Sequence, residues 1–233
     1  MRCAKMAAPD YRLRPYNRWY VYLLLMVLVG LEQEAIRSIV HARFGAGFEN
    51  VSASMLPTLV AGDDLFVSKR AYNDRTPQHG DIVCFRYPPN PSVMFLKRVI
   101  AVGGDVVRIE HKKVYLNGQP LSEPYVQYQL STNNLPLRDE FPPSGSVLAT
   151  LPAAWGVDPA WRREMPGFAR ADGLHIPPDC VFVLGDNRDN SLDGRFWGFV
   201  PRANILGRAG VIYFSWDGKA HRIRWDRLGE ILK

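Results

Sequence analysis

Met94-Phe95-Leu96-Lys97-Arg98-Val99-Ile100-Ala101-Val102 is the stretch on which the fold turns. Its apolar, partly β-branched run reads as a strand. Strand alternation places Phe95, Lys97, Val99 and Ala101 on one face, so Lys97 shares a side with three apolar neighbours. If that face is the core side, the ammonium is desolvated and its pKa falls, because burial disfavours the charged form. The blander alternative is a lysine on a solvated strand face. Arg98 points the opposite way, towards a surface or ion-pair contact.

Similar runs lie on either side. Asp64 to Arg70 reads as a strand, and His79 to Tyr87 as another, entered through Gly80-Asp81 and stopped by Pro88-Pro89. Val114 to Leu121 carries Asn117-Gly118, the signature of a two-residue hairpin turn. Cys180 to Leu184 is a buried-strand run, Gly207 to Trp216 a further strand, and Asp217-Gly218 turns the chain into His221 to Trp225. Residues from about 122 to 173 are rich in Pro and Gly and read as irregular. The expected fold is mainly β, with one N-terminal helix and a loop-rich insertion at 111–173.

A neutral lysine needs a hydroxyl to act on, and Val51-Ser52-Ala53-Ser54-Met55-Leu56-Pro57-Thr58-Leu59 offers one. Pro57 fixes its own φ and biases Leu56 towards an extended conformation, so the backbone after Ser54 is stiff. A serine becomes a nucleophile only with a neighbouring base and with donors for the developing oxyanion. No histidine is near Ser54 in sequence, and Ser-Lys pairs are a known variant of the triad. The third polar element, Gly185 to Arg195, follows a buried strand directly. It reads equally as a solvated loop pinned by Asx turns and an Asp193–Arg195 pair, or as a shell orienting a base. A calcium loop starting at Asp189 is rejected, because Val200 falls where the bidentate Glu is needed.

Composition narrows the class. The 233 residues are 47% hydrophobic, ample for a core, and carry a net charge of +6. Residues 1–18 hold +4 of that charge and residues 19–47 balance, leaving +2 for residues 48–233. Nucleic-acid binding is not expected from so small an excess. Five scattered histidines give no readable zinc site. Cys3, Cys84 and Cys180 show no CxxC pattern, and Cys84 and Cys180 sit in apolar runs that suit buried free thiols, though a bridge between them is open.

The apolar run Trp19 to Leu31 is 13 residues long, short of the roughly 20 needed to span a bilayer. A cleaved signal peptide would suit the length, but no small-x-small site follows directly. The favoured expectation is a membrane anchor over residues 19–42, its helix continuing through Ala35, Ile36, Ile39 and Val40. Trp19, Tyr20 and Tyr22 would lie at the headgroups, and the basic tail of residues 1–18 would stay cytoplasmic. The alternative is a buried amphipathic helix.

Taken together these stretches resemble the bacterial type I signal peptidases, or leader peptidases, membrane-anchored Ser-Lys endopeptidases. The likeness lies in Ser52 to Leu59 with Gly62-Asp63, in Gly80 to Phe85, in Lys97 to Ile100 with Gly104-Asp105, and in Gly185 to Pro201. It covers about residues 48–216, with the boxes in order. The chain departs from the pattern at Val51 and Gly103, where the family commonly has Pro, and at Gly194, where it has Ser.

The resemblance implies Ser54 as nucleophile and Lys97 as general base, with Ser52 and the Ser54 backbone N–H as oxyanion donors. Ser191 would hydrogen-bond the lysine, Asp193 and Arg195 would form a supporting ion pair, and Arg98 would frame the site. It implies a β-rich catalytic core, residues 48–110 and 174–233, with an inserted smaller β subdomain at 111–173. The substrates would be signal peptides of exported preproteins, cut after a small-x-small site, with no metal or organic cofactor. The protein would be a monomer, single-pass in the bacterial inner membrane, with its catalytic domain on the periplasmic side. Two other readings remain: a Ser-Lys maturation protease of the pilin or conjugation type, and a membrane-tethered module that binds extended peptides without cutting them.

Overall fold

The computed structural model describes residues 20–23, 26, 45–128, 136–152 and 156–232. The chain divides into two units, Met1–Phe44 and Gly45–Lys233. In the first, residues 20–23 and 26 are helical, with Tyr20, Tyr22, Leu23 and Met26 exposed. Among the described residues no helix is long and apolar enough to cross a membrane. The basic tail expected over 1–18, and most of the anchor expected over 19–42, lie outside the described residues.

The second unit is mainly β. In chain order its first strands are β1 (Ala46–Asn50), β2 (Asp63–Ser68), β3 (Ile82–Tyr87) and β4 (Asn90–Val102). Next come β5 (Val106–Glu110), β6 (Lys113–Leu116), β7 (Gln119–Pro120), β8 (Ala169–Arg170) and β9 (Gly173–His175). The last are β10 (Cys180–Leu184), β11 (Val200–Pro201), β12 (Ile205–Asp217) and β13 (Arg222–Ile223). One sheet runs β1-β2-β12-β3-β4-β10-β11, with β13 against β12, and a smaller one runs β7-β6-β5-β9-β8.

β4 organises the larger sheet. It pairs with β3 through Ile82 and with β10 through Leu184, both opposite Arg98. Pro88-Pro89 ends β3 as expected, but the chain re-enters the sheet at once, so β4 begins at Asn90 rather than Met94. Its first residues are exposed, whereas every residue from Leu96 to Ala101 is buried. Both faces of the strand are covered there. Arg98 is therefore 1% exposed, and of the two contacts foreseen for it only the ion pair is realised.

Two apolar clusters fill the two sides. One contains Val83, Phe85 and Val99 of the larger sheet with Val107, Ile109 and Leu174 of the smaller one, so a single cluster joins both sheets. The other contains Ile82, Cys84, Leu96 and Ile212, together with Met55 and Leu59. Burying those last two side chains, at about 1.5–3 kcal/mol each, pins the turn around Ser54 to the sheet.

The described residues within 122–173 hold more regular structure than their composition suggests. Helices span Gly145–Thr150 and Pro159–Phe168, the second capped by the Asp158 carboxylate accepting from the Ala160 and Trp161 N–H groups. Asp158 followed by Pro159 is a helix-start signal that the surrounding prolines obscure. Trp161 and Met165 bury its inner face. The Asn117-Gly118 turn takes the expected form, both residues having positive φ. Strands β1 and β5 were not legible in the pattern. Cys84 and Cys180 are free thiols, and burial pushes Cys84 up to about 12.

Candidate active site

The serine turn, the centre of β4 and the loop after β10 meet at one place. Lys97 Nζ donates to Ser54 Oγ at 2.6 Å across 43 residues of chain, and to the Leu96 carbonyl at 3.1 Å. Both side chains are buried, Lys97 at 4% exposure and Ser54 at 7%. Desolvation lowers the Lys97 pKa from 10.5 to about 8, with Arg195 adding to the effect and Asp193 and Asp186 opposing it. Each of those carboxylates has its own guanidinium. Arg98 Nε and Nη2 bond Asp186 at 2.9 and 2.7 Å, and Arg195 Nε and Nη2 bond Asp193 at 2.8 and 2.9 Å. Paired in this way the acids raise the lysine pKa too little to undo its desolvation.

Asp193 is itself fully buried. Burial alone would raise its pKa, but the Arg195 charge and the Gly185 N–H outweigh that and hold it below the ordinary value. It stays an anion, and it also caps the short helix Gly194–Trp197. The pair is further tied by Arg195 Nη2 donating to the Arg188 carbonyl at 2.7 Å.

Ser52 lies in the turn, exposed, and its Oγ accepts from the Ser54 N–H at 3.1 Å. The two groups expected as oxyanion donors are thus adjacent and bonded to each other in the free protein. Ser191 Oγ is buried, close enough to the Asp193 carboxylate to help hold that acid below its ordinary pKa, though it makes no well-aligned hydrogen bond among the described residues. The bond expected from Ser191 to Lys97 is not made, because Nζ is turned to Ser54 Oγ and the Leu96 carbonyl.

Several residues that sequence reasoning passed over hold the serine turn. Asn187 donates from its backbone N–H to the Ser54 carbonyl and from Nδ2 to the Ala53 carbonyl, both at 3.1 Å. Asp186 accepts from Thr58 Oγ1 at 2.6 Å. Asn50 Nδ2 donates to the Ser52 carbonyl at 3.0 Å. Behind the turn, buried Asp63 accepts from the Val60 N–H, Ser215 Oγ and the Arg227 guanidinium, and Arg227 reaches the Thr58 carbonyl at 2.9 Å. A signal existed for Asp186 and Asn187, which lie in the polar loop itself. For Asn50, Ser215 and Arg227 there was none, because their partners are distant in sequence or in unremarkable composition.

Two glycines make the approach possible. A Cβ on Gly185 would lie 2.5 Å from the Ser54 carbonyl oxygen and 2.2 Å from Ser191 Oγ. At Gly194, where the family pattern has Ser, a Cβ would come within 2.7 Å of the Phe182 ring. The bare backbone there makes room for that ring.

Ser54 and Lys97 lie at the floor of a cleft of about 410 Å³. Its walls include Phe48, Val93, Met94, Phe95 and Leu192, with Asn50, Ser52 and Asn190 as polar groups. A hydroxyl hydrogen-bonded to an amine that deprotonates near neutral pH, in an apolar cleft with donors beside it, can transfer an acyl group.

Sequence comparison with known proteins shows the family. Residues 17–216 match the family described as signal peptidase, peptidase S26. The signal peptidase I of Aquifex aeolicus is 38% identical over 190 residues, spanning 70% of this chain and 73% of that protein. That of Pseudomonas fluorescens is 33% identical over 211 residues, spanning 79% and 70%. A crystal structure of a signal peptidase I from Enterococcus faecalis, 28% identical, covers 57% of this chain and 97% of its own with a TM-score of 0.36. The protein is a peptidase, and so a hydrolase. The chain belongs to the bacterial type I signal peptidase family.

Proposed function

We propose that this chain is a membrane-anchored serine endopeptidase that removes N-terminal signal peptides from exported preproteins, with Ser54 as nucleophile and Lys97 as general base. The observation that carries it is the 2.6 Å contact between Ser54 Oγ and a buried lysine whose pKa is lowered to about 8. At neutral pH and above, a useful fraction of Lys97 is neutral and can accept a proton.

In the reaction Ser54 Oγ attacks the carbonyl carbon of the scissile bond while its proton passes to Lys97 Nζ. The carbonyl oxygen becomes an oxyanion, held by the Ser54 N–H and by Ser52 Oγ–H. Substrate entry replaces the Ser54 N–H to Ser52 Oγ bond, freeing both donors, each worth about 3 kcal/mol in such sites. Lys97, now an ammonium, gives its proton to the departing amine, leaving an acyl-Ser54 ester. A water molecule, deprotonated by Lys97, then attacks that ester, and the proton returns to Ser54 Oγ as the signal peptide leaves. Arg98, Asp193 and Arg195 neither give nor take a proton. They keep the two buried carboxylates paired, so that Lys97 is desolvated without facing an unbalanced anion.

The small-x-small rule for signal peptides fits a cleft with largely apolar walls. An extended peptide would lie along the strand edges that frame it. The basic residues 1–18 and the apolar run 19–31 support a single pass through the bacterial inner membrane, with the N-terminus cytoplasmic and the catalytic unit on the periplasmic side. The lipid bilayer is then a partner, and the active species is a monomer.

The test is cleavage of a secretory preprotein in detergent, with the new N-terminus sequenced, by wild type, Ser54→Ala, Lys97→Ala and Lys97→Arg. Wild type alone should cut, after a small-x-small site. The arginine variant should be as inactive as the alanine one, because a guanidinium stays protonated. Turnover by Lys97→Arg would remove the lysine from the base role.

A further inference from the structure

We propose that Lys112, outside the cleft and in the turn joining two strands of the smaller sheet, is a positioning residue that sets one wall of the cleft through Asp189. The inference rests on reading the Ser54 cleft as the site of peptide cleavage.

Arg188 and Asp189 are consecutive residues of a short 3-10 turn, Arg188–Asn190, and both are nearly buried, at 2% and 5% exposure. They carry opposite charges and are held by opposite partners from outside the turn. Arg188 pairs with Glu123, one bond being Nη1 to Oε2 at 2.9 Å and the other Nη2 to Oε1. Asp189 receives Lys112 Nζ at 3.0 Å on both carboxylate oxygens. The next residue, Asn190, lines the cleft, as does Leu192. The turn is therefore anchored on its outer side and presents its end to the substrate.

Lys112 is built as a fixed point rather than a loose surface lysine. It lies with His111 in the two-residue turn between β5 and β6, both with positive φ. Its backbone N–H donates to the Asp139 carbonyl at 3.1 Å, and its own carbonyl accepts from the Tyr128 hydroxyl at 2.8 Å. Nζ lies 5.4 Å from the centre of the Tyr128 ring and 3.5 Å from Asp139 Oδ1. Backbone and side chain are both restrained, so little further ordering is needed to hold Asp189. That distinguishes this pair from exposed ion pairs, whose side-chain entropy cancels most of the attraction.

A merely stabilising contact would change the unfolding midpoint and leave the kinetics alone. A positioning contact changes substrate binding at the Asn190 wall, a KM effect, while the 2.6 Å contact of Ser54 with Lys97 and hence kcat persist. The experiment measures kcat and KM for preprotein cleavage by the full chain in detergent, with Ser54→Ala as control. The variants are Lys112→Met, Asp189→Asn, their combination, and Lys112→Arg. Neutral substitutions are chosen because reversing the charge at 112 would add repulsion with Asp139.

Each neutral single should raise KM about fivefold with kcat within about twofold, and the double should be no worse than either single, as coupled residues behave. Lys112→Arg should restore KM to near wild type. Unchanged KM in the singles, multiplying effects in the double, or loss confined to kcat would each overturn the positioning role. Should a single variant fail to fold, the Lys112→Arg comparison decides alone, a KM raised as far as fivefold overturning the role. If Ser54→Ala still cleaves, the site reading fails and the proposal with it. If Ser54→Ala is inactive and the KM effects multiply, only the positioning role fails.

Discussion

Burying Lys97 has a cost that depends on pH in a calculable way. Its folded pKa is about 8 against an ordinary 10.5, so between those values the unfolded chain holds a proton that the folded protein has released. Stability rises with pH wherever the unfolded state binds more protons. The penalty is therefore fully present below pH 8 and fades as pH rises towards 10.5. Two-state linkage gives about 3 kcal/mol at pH 7, about 2 at pH 9 and under about 0.5 at pH 10.5.

Lys97→Met keeps the length of the side chain and removes the titration. It also removes the hydrogen bond to Ser54, and any change in that bond as Lys97 loses its proton is already contained in the folded pKa. The quantity to measure is thus the difference in unfolding free energy between wild type and Lys97→Met, from urea titrations at pH 7, 8, 9 and 10.5. Wild type should gain about 2.5–3 kcal/mol on the variant between pH 7 and 10.5, most of it above pH 8. A difference that stays constant with pH would mean that the folded lysine titrates normally, and would refute the desolvation argument together with the base role built on it.

Other outcomes follow from the same geometry. The kcat/KM for preprotein cleavage should rise about tenfold per pH unit below a midpoint near pH 8, as neutral Lys97 appears, and then level off; an acid optimum would contradict this. Asp186→Asn leaves Arg98 as a buried charge without its carboxylate and should destabilise the protein by about 3–5 kcal/mol, read as a lowered urea midpoint. Gly185→Ala forces a methyl into the Ser54 carbonyl and Ser191 and should lower kcat at least about tenfold, with about 1–3 kcal/mol of stability lost.

Much of the candidate site was legible because its residues are marked by local pattern. Lys97 stands out as a charge on an apolar strand face, and Ser54 as a hydroxyl beside a proline-stiffened turn. Gly185 to Arg195 stands out as a run too polar for the strand it follows. The Asn117-Gly118 hairpin and the stop at Pro88-Pro89 were legible for the same reason, since turn chemistry is set by neighbouring residues. The helix Pro159–Phe168 was missed although its cap signal was present, because the prolines around it dominate the composition.

By itself the amino-acid order determined a mainly β chain with a serine and a lysine suited to each other. It could not show that they touch, because 43 residues separate them and strand alternation says which side chains share a face, not which face is covered. The tertiary structure decided that both faces of β4 are closed at Arg98. That made a guanidinium which could have been a surface group the buried partner of Asp186. It also decided that Asn187, Asp186, Asp63 and Arg227 grip the serine turn. The last two are 164 residues apart, and only folding brings a carboxylate and a guanidinium from such distant segments within hydrogen-bonding reach. The lowered pKa of Lys97 belongs to the same level, because desolvation is a property of everything packed around a charge and not of its neighbours in sequence.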